Sequence, residues 1–163
     1  MKYLLVIALL TTTLLSCNYS QKENKDNLYT TVNKDAEMND AIAKAKKTFI
    51  DFDSAFLSNK FDTANFSIKV RFLTTNGRYE YIWATSLIKK DGDYFGIIDD
   101  LPQLTTRAKA GDKIKINRED ISDWMYGDKG ILYGGYTIKI IRNRMPKEEQ
   151  FKFDSTFPFK IVD

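Results

Sequence analysis

Apolar side chains recur at three- and four-residue steps through Met38, Ala41, Ile42, Ala45, Phe49, Phe52 and Phe56, with Lys44, Lys46, Lys47 and Asp51 falling between them. That spacing predicts an amphipathic helix, with Asp35 or Asn33 as its N-cap. From Phe66 the period shortens to two: Phe66, Ile68, Val70 and Phe72 alternate with Ser67, Lys69 and Arg71, the pattern of a strand buried on one face. Asn76-Gly77 predicts a tight hairpin turn with both central residues at positive φ, returning through a strand from Arg78 to Lys90. Asp91-Gly92 marks a second turn into Asp93–Asp100, and Pro102, which has no N–H to donate, ends the ladder. Beyond Gly111-Asp112, Ile114 and Ile116 alternate with Lys113 and Lys115.

The next stretch is less regular. Arg118 to Met125 predicts one or two helical turns capped by Asn117. Gly127 to Gly130 then turns the chain into a long strand from Ile131 to Met145, bulged where Gly134-Gly135 interrupts the pleat. A short helix follows Pro146, with Pro158 to Val162 extended behind it. The fold class expected is α+β: an N-terminal amphipathic helix packed on a twisted, mainly antiparallel sheet of about five strands.

The first sixteen residues carry one charge, at Lys2, and then an apolar run that ends at Ser16 before Cys17. The run is short of the roughly twenty residues that span a bilayer, so it reads as a signal peptide over residues 1–16. Leu14-Leu15-Ser16-Cys17 resembles the lipobox of bacterial lipoproteins. The resemblance implies cleavage before Cys17 and lipidation of its thiol by diacylglycerol, with palmitate-like acyl chains holding the protein to a membrane. Residues 18–35 are polar and aperiodic and read as a tether spanning roughly 20 to 25 Å. The remaining 36–163 has the size of one domain.

Composition removes several kinds of chemistry. The chain has no histidine and one cysteine, which excludes a Ser-His-Asp triad, a Cys-His pair and a His-containing zinc site within it. Its formal charge of +3 falls to +2 once Lys2 leaves with the leader, a balance that argues against a nucleic-acid partner. No cofactor or metal is expected: Tyr133-Gly134-Gly135-Tyr136 lacks the glycine spacing of a dinucleotide fingerprint, and Asp91 with Asp93 lacks the other ligands of a calcium loop.

Glu80 to Trp83, Phe95 to Pro102, Ala110 to Ile116, and above all Ile121 to Tyr126 followed by Gly134 to Arg142 resemble the bacterial family called domain of unknown function 2314, the YegJ-like proteins. The match covers most of Met38 to Gln150. It implies a shared fold and no particular reaction.

Two groups of residues are candidates for function. In the first, Gly134 and Gly135 let a partner approach while Glu80, Trp83, Asp123, Trp124, Tyr126 and Tyr136 form a binding surface. The competing reading makes the same aromatics core anchors and the glycines turn positions, and the exposure of Trp124 and Tyr136 separates the two. In the second, Lys69, Arg71, Lys113, Lys115 and Lys139 share the outward side of the strands and suit an anionic partner, or else serve as ordinary protection of strand edges. The expectation is therefore an exported cell-envelope lipoprotein on the periplasmic or cell-surface side, a binding or protein-interaction module without catalytic residues. Its partners would be the membrane, through Cys17, and an envelope protein or glycan. The alternatives are a hydrolase of an envelope polymer working through a carboxylate pair, and a structural or stress-related lipoprotein.

Overall fold

The computed structural model describes residues 35–58, 60, 62 and 65–162. The expected leader, Cys17 and nearly all of the tether lie outside the described residues. The elements are α1 (Ala36–Lys47), α2 (Phe49–Leu57), β1 (Phe66–Leu73), β2 (Tyr79–Lys90), β3 (Asp93–Ile98), β4 (Lys113–Ile116), a 3-10 turn (Arg118–Asp120), β5 (Ile121–Asp128), β6 (Ile131–Gly134), α3 (Tyr136–Asn143) and α4 (Lys147–Thr156). The strands form one antiparallel sheet of six in the order β4-β3-β2-β1-β5-β6. The class is α+β as expected, with one strand more than the count of about five.

Asp35 caps α1, its Oδ1 accepting from the Met38 N–H at 3.2 Å. The single predicted helix is two. At Thr48 the hydroxyl bonds to the Lys44 carbonyl at 2.8 Å and to the Tyr136 hydroxyl at 3.0 Å, and the chain restarts as α2. The apolar stripe continues across the break, because Met38, Ala41 and Ala45 of α1 and Phe49, Phe52, Ala55 and Phe56 of α2 are all buried. Phe52 is fully enclosed, with the rings of Phe49, Phe66, Tyr94 and Trp124 between 5.1 and 5.8 Å from its own. Aromatic groups at such distances gain from edge and offset contacts beyond the area they bury.

One face of the sheet meets the helices, and the alternation along β2 records it. Glu80, Ile82 and Ala84 are buried while Tyr79, Tyr81, Trp83 and Thr85 stay half-buried on the outer face. Phe95 and Ile97 of β3 continue that outer face. At the far end Phe72 of β1 and Ile114 of β4 pack on the same small cluster of Ile82, Ile98 and Ala108. Two strands separate β1 from β4, so the sheet curls strongly there.

Three local expectations are corrected. At the Asn76-Gly77 turn only Gly77 has positive φ (78°), and Gly77 donates to the Thr74 carbonyl at 3.2 Å, which makes a three-residue loop. The turn with both residues at positive φ occurs instead at Asp91-Gly92 and at Lys129-Gly130. Of the helical turns expected after Asn117, only Arg118–Asp120 is helical, and Ile121 onward is strand β5, between β1 and the edge strand β6. The long strand from Ile131 stops at Gly134, and Tyr136–Asn143 is helix. Its alternating Tyr136, Ile138 and Ile140 read as strand because the residue that starts the helix comes from β5.

Candidate functional site

That residue is Asp123. A β-bulge at Ser122 shifts the β1–β5 register, so that Lys69 faces Asp123 and Val70 faces Ile121. The Ser122 hydroxyl holds the bulge by donating to the Lys69 carbonyl at 3.0 Å. Asp123 is fully buried, and its carboxylate accepts from the N–H groups of Trp124 (2.8 Å), Tyr136 (3.2 Å) and Thr137 (2.7 Å) and from the Thr137 hydroxyl (2.6 Å). The N-cap position itself, Gly135, has no side chain, so Asp123 supplies the cap of α3 from a neighbouring strand. Burial pushes the Asp123 carboxyl above its ordinary range, against the bonds from Thr137 and the nearby charge of Lys69. Lys69 Nζ lies 3.2 Å from the Thr137 hydroxyl and 5.3 Å above the Trp83 ring, and burial draws its ammonium below the usual range.

The segment around Asp123 is architecture. Trp124 is 3 % exposed, and its indole N–H donates to the Ala45 carbonyl of α1 at 2.9 Å. Tyr126 is buried, stacked between Phe66 (4.7 Å) and Tyr133 (4.9 Å). Tyr136 packs edge-on against Trp124 at 5.6 Å and bonds through its hydroxyl to Thr48. Gly134 has φ of 73°, and a Cβ there would lie 2.2 Å from the Trp124 carbonyl oxygen. The close approach that Gly134 permits is therefore to the chain's own β5, not to a partner. Of the expected surface, Asp123, Trp124, Tyr126 and Gly135 are buried and Gly134 and Tyr136 half-buried, so these residues serve the core and its turn and do not present a shared contact face.

Glu80 and Trp83, the other two members of that group, sit on opposite faces of β2. Glu80 is 3 % exposed and accepts the backbone N–H groups of Gln103 (2.6 Å), Leu104 (3.0 Å) and Thr105 (2.7 Å). It thereby pins the connection between β3 and β4. Trp83 is on the outer face, its backbone N–H donating to Asp100 Oδ2 at 3.1 Å.

The five expected cations divide. Lys69 and Arg71 on β1 and Lys113 and Lys115 on β4 do share the outer face, with the aromatic residues of β2 and β3 between them. Lys139 is on α3, where its Nζ donates to the Val162 carbonyl at 2.7 Å. Arg71 pairs with Asp120 at 3.1 Å and lies 4.9 Å over the Tyr79 ring, while Lys115 pairs with Asp93 at 2.6 Å. β5 begins level with Val70, so the last residues of β1 are free of it and a cleft of about 380 Å³ opens between them and β4. Val70, Phe72 and Ile114 give the cleft an apolar floor, and Arg71, Arg107 and Lys115 give it a cationic rim. Asp120, already paired with Arg71, is the one carboxylate among the described residues that lines it. Sequence reasoning missed Arg107, which stands in a polar connection with no periodicity to mark it.

Residues 35–160 match the family described as "Uncharacterized protein conserved in bacteria (DUF2314)". The chain belongs to this family. It is 41 % identical over 114 residues to the "Uncharacterized protein YegJ" of Escherichia coli (strain K12), a match covering 69 % of this chain and 71 % of that protein. It is also 34 % identical over 85 residues to the "Putative ankyrin repeat protein NMB1133/NMB1171" of Neisseria meningitidis serogroup B (strain ATCC BAA-335 / MC58). That match covers 52 % of this chain and 33 % of the relative, so the chain spans about a third of the longer protein. No solved structure matches. Membership of DUF2314 names a lineage and no reaction, and the chemistry has to be argued from the geometry.

Proposed function

We propose that this chain is an exported, lipid-anchored envelope protein whose domain acts by binding, with the outer face of β1 to β4 and its adjoining cleft as the contact surface. The supporting observation is the half-buried row of Tyr79, Tyr81 and Trp83, flanked by Lys69 and Arg71 on one side and by Lys113 and Lys115 on the other. Aromatic rings beside cations favour partners that offer flat apolar surface and negative charge together. An envelope glycan or protein bearing acidic groups fits that description. Among the described residues the cleft is lined by no pair of facing carboxylates of the kind a glycan hydrolase uses. Anchoring through Cys17 is part of the same reading, resting on the leader-like residues before it.

Crosslinking of the full chain in intact cells tests the contact. Wild type should capture an envelope component that Trp83→Ala loses while its circular dichroism stays unchanged; capture unaffected by Trp83→Ala and by Lys113→Glu overturns the assignment of the surface. Mass spectrometry of the mature N-terminus should find diacylglycerol on Cys17, and an unmodified thiol there removes the anchor.

A further inference from the structure

We infer that the cleft between the end of β1 and β4 is a site for a small soluble organic anion with an apolar body, of the class of aryl or short-alkyl phosphate monoesters and carboxylates. The inference rests on the domain being a binding module and adds a ligand class to it. Among the described residues, the cations Arg71, Arg107 and Lys115 meet the carboxylate of Asp120 in the lining, and with Asp93, the partner of Lys115, counted as well the formal balance is +1. Beneath them Phe72 and Ile114 are only partly buried and remain available to an apolar group. At about 380 Å³ the cleft falls within the size range of small-molecule sites.

The backbone that carries Arg107 is held in place before any ligand arrives. Glu80 fixes Gln103, Leu104 and Thr105 by their backbone N–H groups, the Thr105 hydroxyl donates to the Leu73 carbonyl at 3.2 Å, and the Arg107 N–H donates to the Thr105 hydroxyl at 3.1 Å. That chain of bonds ties Arg107 to the end of β1. Its guanidinium has no hydrogen-bond or ion-pair partner among the described residues, so it can take an anion without first giving one up. The Lys115–Asp93 pair is half exposed on both sides and gives way to a ligand at little cost. The planar guanidinium that this held backbone carries suits bidentate recognition of phosphate or carboxylate.

The full chain, purified in detergent micelles, can be titrated with phenyl phosphate, benzoate and inorganic phosphate by calorimetry and amide chemical shifts. Phenyl phosphate should bind at least ten times more tightly than inorganic phosphate, with the largest shifts in Val70–Leu73, Arg107 and Ile114–Asn117. Arg107→Glu, and Lys115→Gln as a second variant, should each weaken it at least tenfold, whereas Lys90→Glu, an exposed cation outside the cleft, should change it less than twofold. Absence of binding by all three probes at millimolar concentration overturns the site, as does equal weakening by Lys90→Glu, which would mean attraction to net charge alone. Failure here leaves the capture experiment with Trp83→Ala intact, since that reads a different residue and a different partner.

Discussion

The joint between β5 and α3 and the cleft at the end of β1 use the same kinds of residue in opposite ways. At the joint a carboxylate and an ammonium are enclosed, and every lone pair that matters is committed: Asp123 accepts four hydrogen bonds and Lys69 lies against Thr137 and Trp83. At the cleft, the guanidinium of Arg107 is exposed and has no partner among the described residues, and the neighbouring pairs are a third to a half in solvent. Removing the acceptor from a buried hydrogen-bond cluster is costly because the donors left behind have nowhere to find water, whereas an exposed ion pair is worth little. The two regions should therefore respond to mutation in different currencies, stability at the joint and affinity at the cleft.

The sharpest test of that contrast is Asp123→Ala. It removes the cap of α3 and leaves the buried N–H groups of Trp124 and Thr137 and the Thr137 hydroxyl without their acceptor, and should destabilise the fold by about 3 to 5 kcal/mol in chemical denaturation; a loss under about 1 kcal/mol would mean the joint is not structural. Gly134→Ala comes next. It forces a side chain to positive φ against the Trp124 carbonyl, for about 2 to 3 kcal/mol. Trp124→Phe keeps most of the ring contacts but leaves the Ala45 carbonyl without its indole donor, and should cost about 1 to 3 kcal/mol. At the cleft Arg107→Ala should change stability by no more than about 0.5 kcal/mol, as surface substitutions generally do, while affecting ligand affinity.

A pH effect falls between these. Arg144, at the end of α3, forks onto Asp35 and also reaches Glu37 at 2.6 Å, so the cap of α1 is tied to the far end of α3. The hydrogen bond from Arg144 holds the Asp35 carboxyl down at about 2, against an ordinary 3.8. Between those values the unfolded chain binds the proton and the folded chain does not, so this contribution is complete above about pH 4 and disappears as the pH falls toward 2. Arg144→Gln should remove that part of the acid dependence, and a nuclear magnetic resonance titration of Asp35 should read the shift directly.

Much of the fold was legible from local signals. The N-cap at Asp35, the alternation in β1 to β4 and the helix after Pro146 follow from spacing and capping chemistry that act within a few residues. The strand reading of Tyr136 to Asn143 failed because Asp123 reaches the helix start from thirteen residues away in sequence. The reading of Arg118 to Met125 as helical failed because strand pairing with β1 overrode the local preference of Ile121 onward. For the candidate site, burial was not legible: Trp124 faced the core and Asp123, on the Lys69 side of β5, was covered by the start of α3, while Arg107 came to the rim from an aperiodic loop.

By itself the sequence determined the class of fold, the family, the absence of imidazole and the alternation that leaves Lys69, Arg71, Lys113 and Lys115 on one side of the sheet. Only the tertiary structure decided which aromatics were spent on the core and which were left half exposed, and that β4 curls round to close a cleft against β1. The reason is physical: periodicity records which side of an element is wet, but it carries no information about which distant element meets the dry side, or where two strand ends approach without pairing.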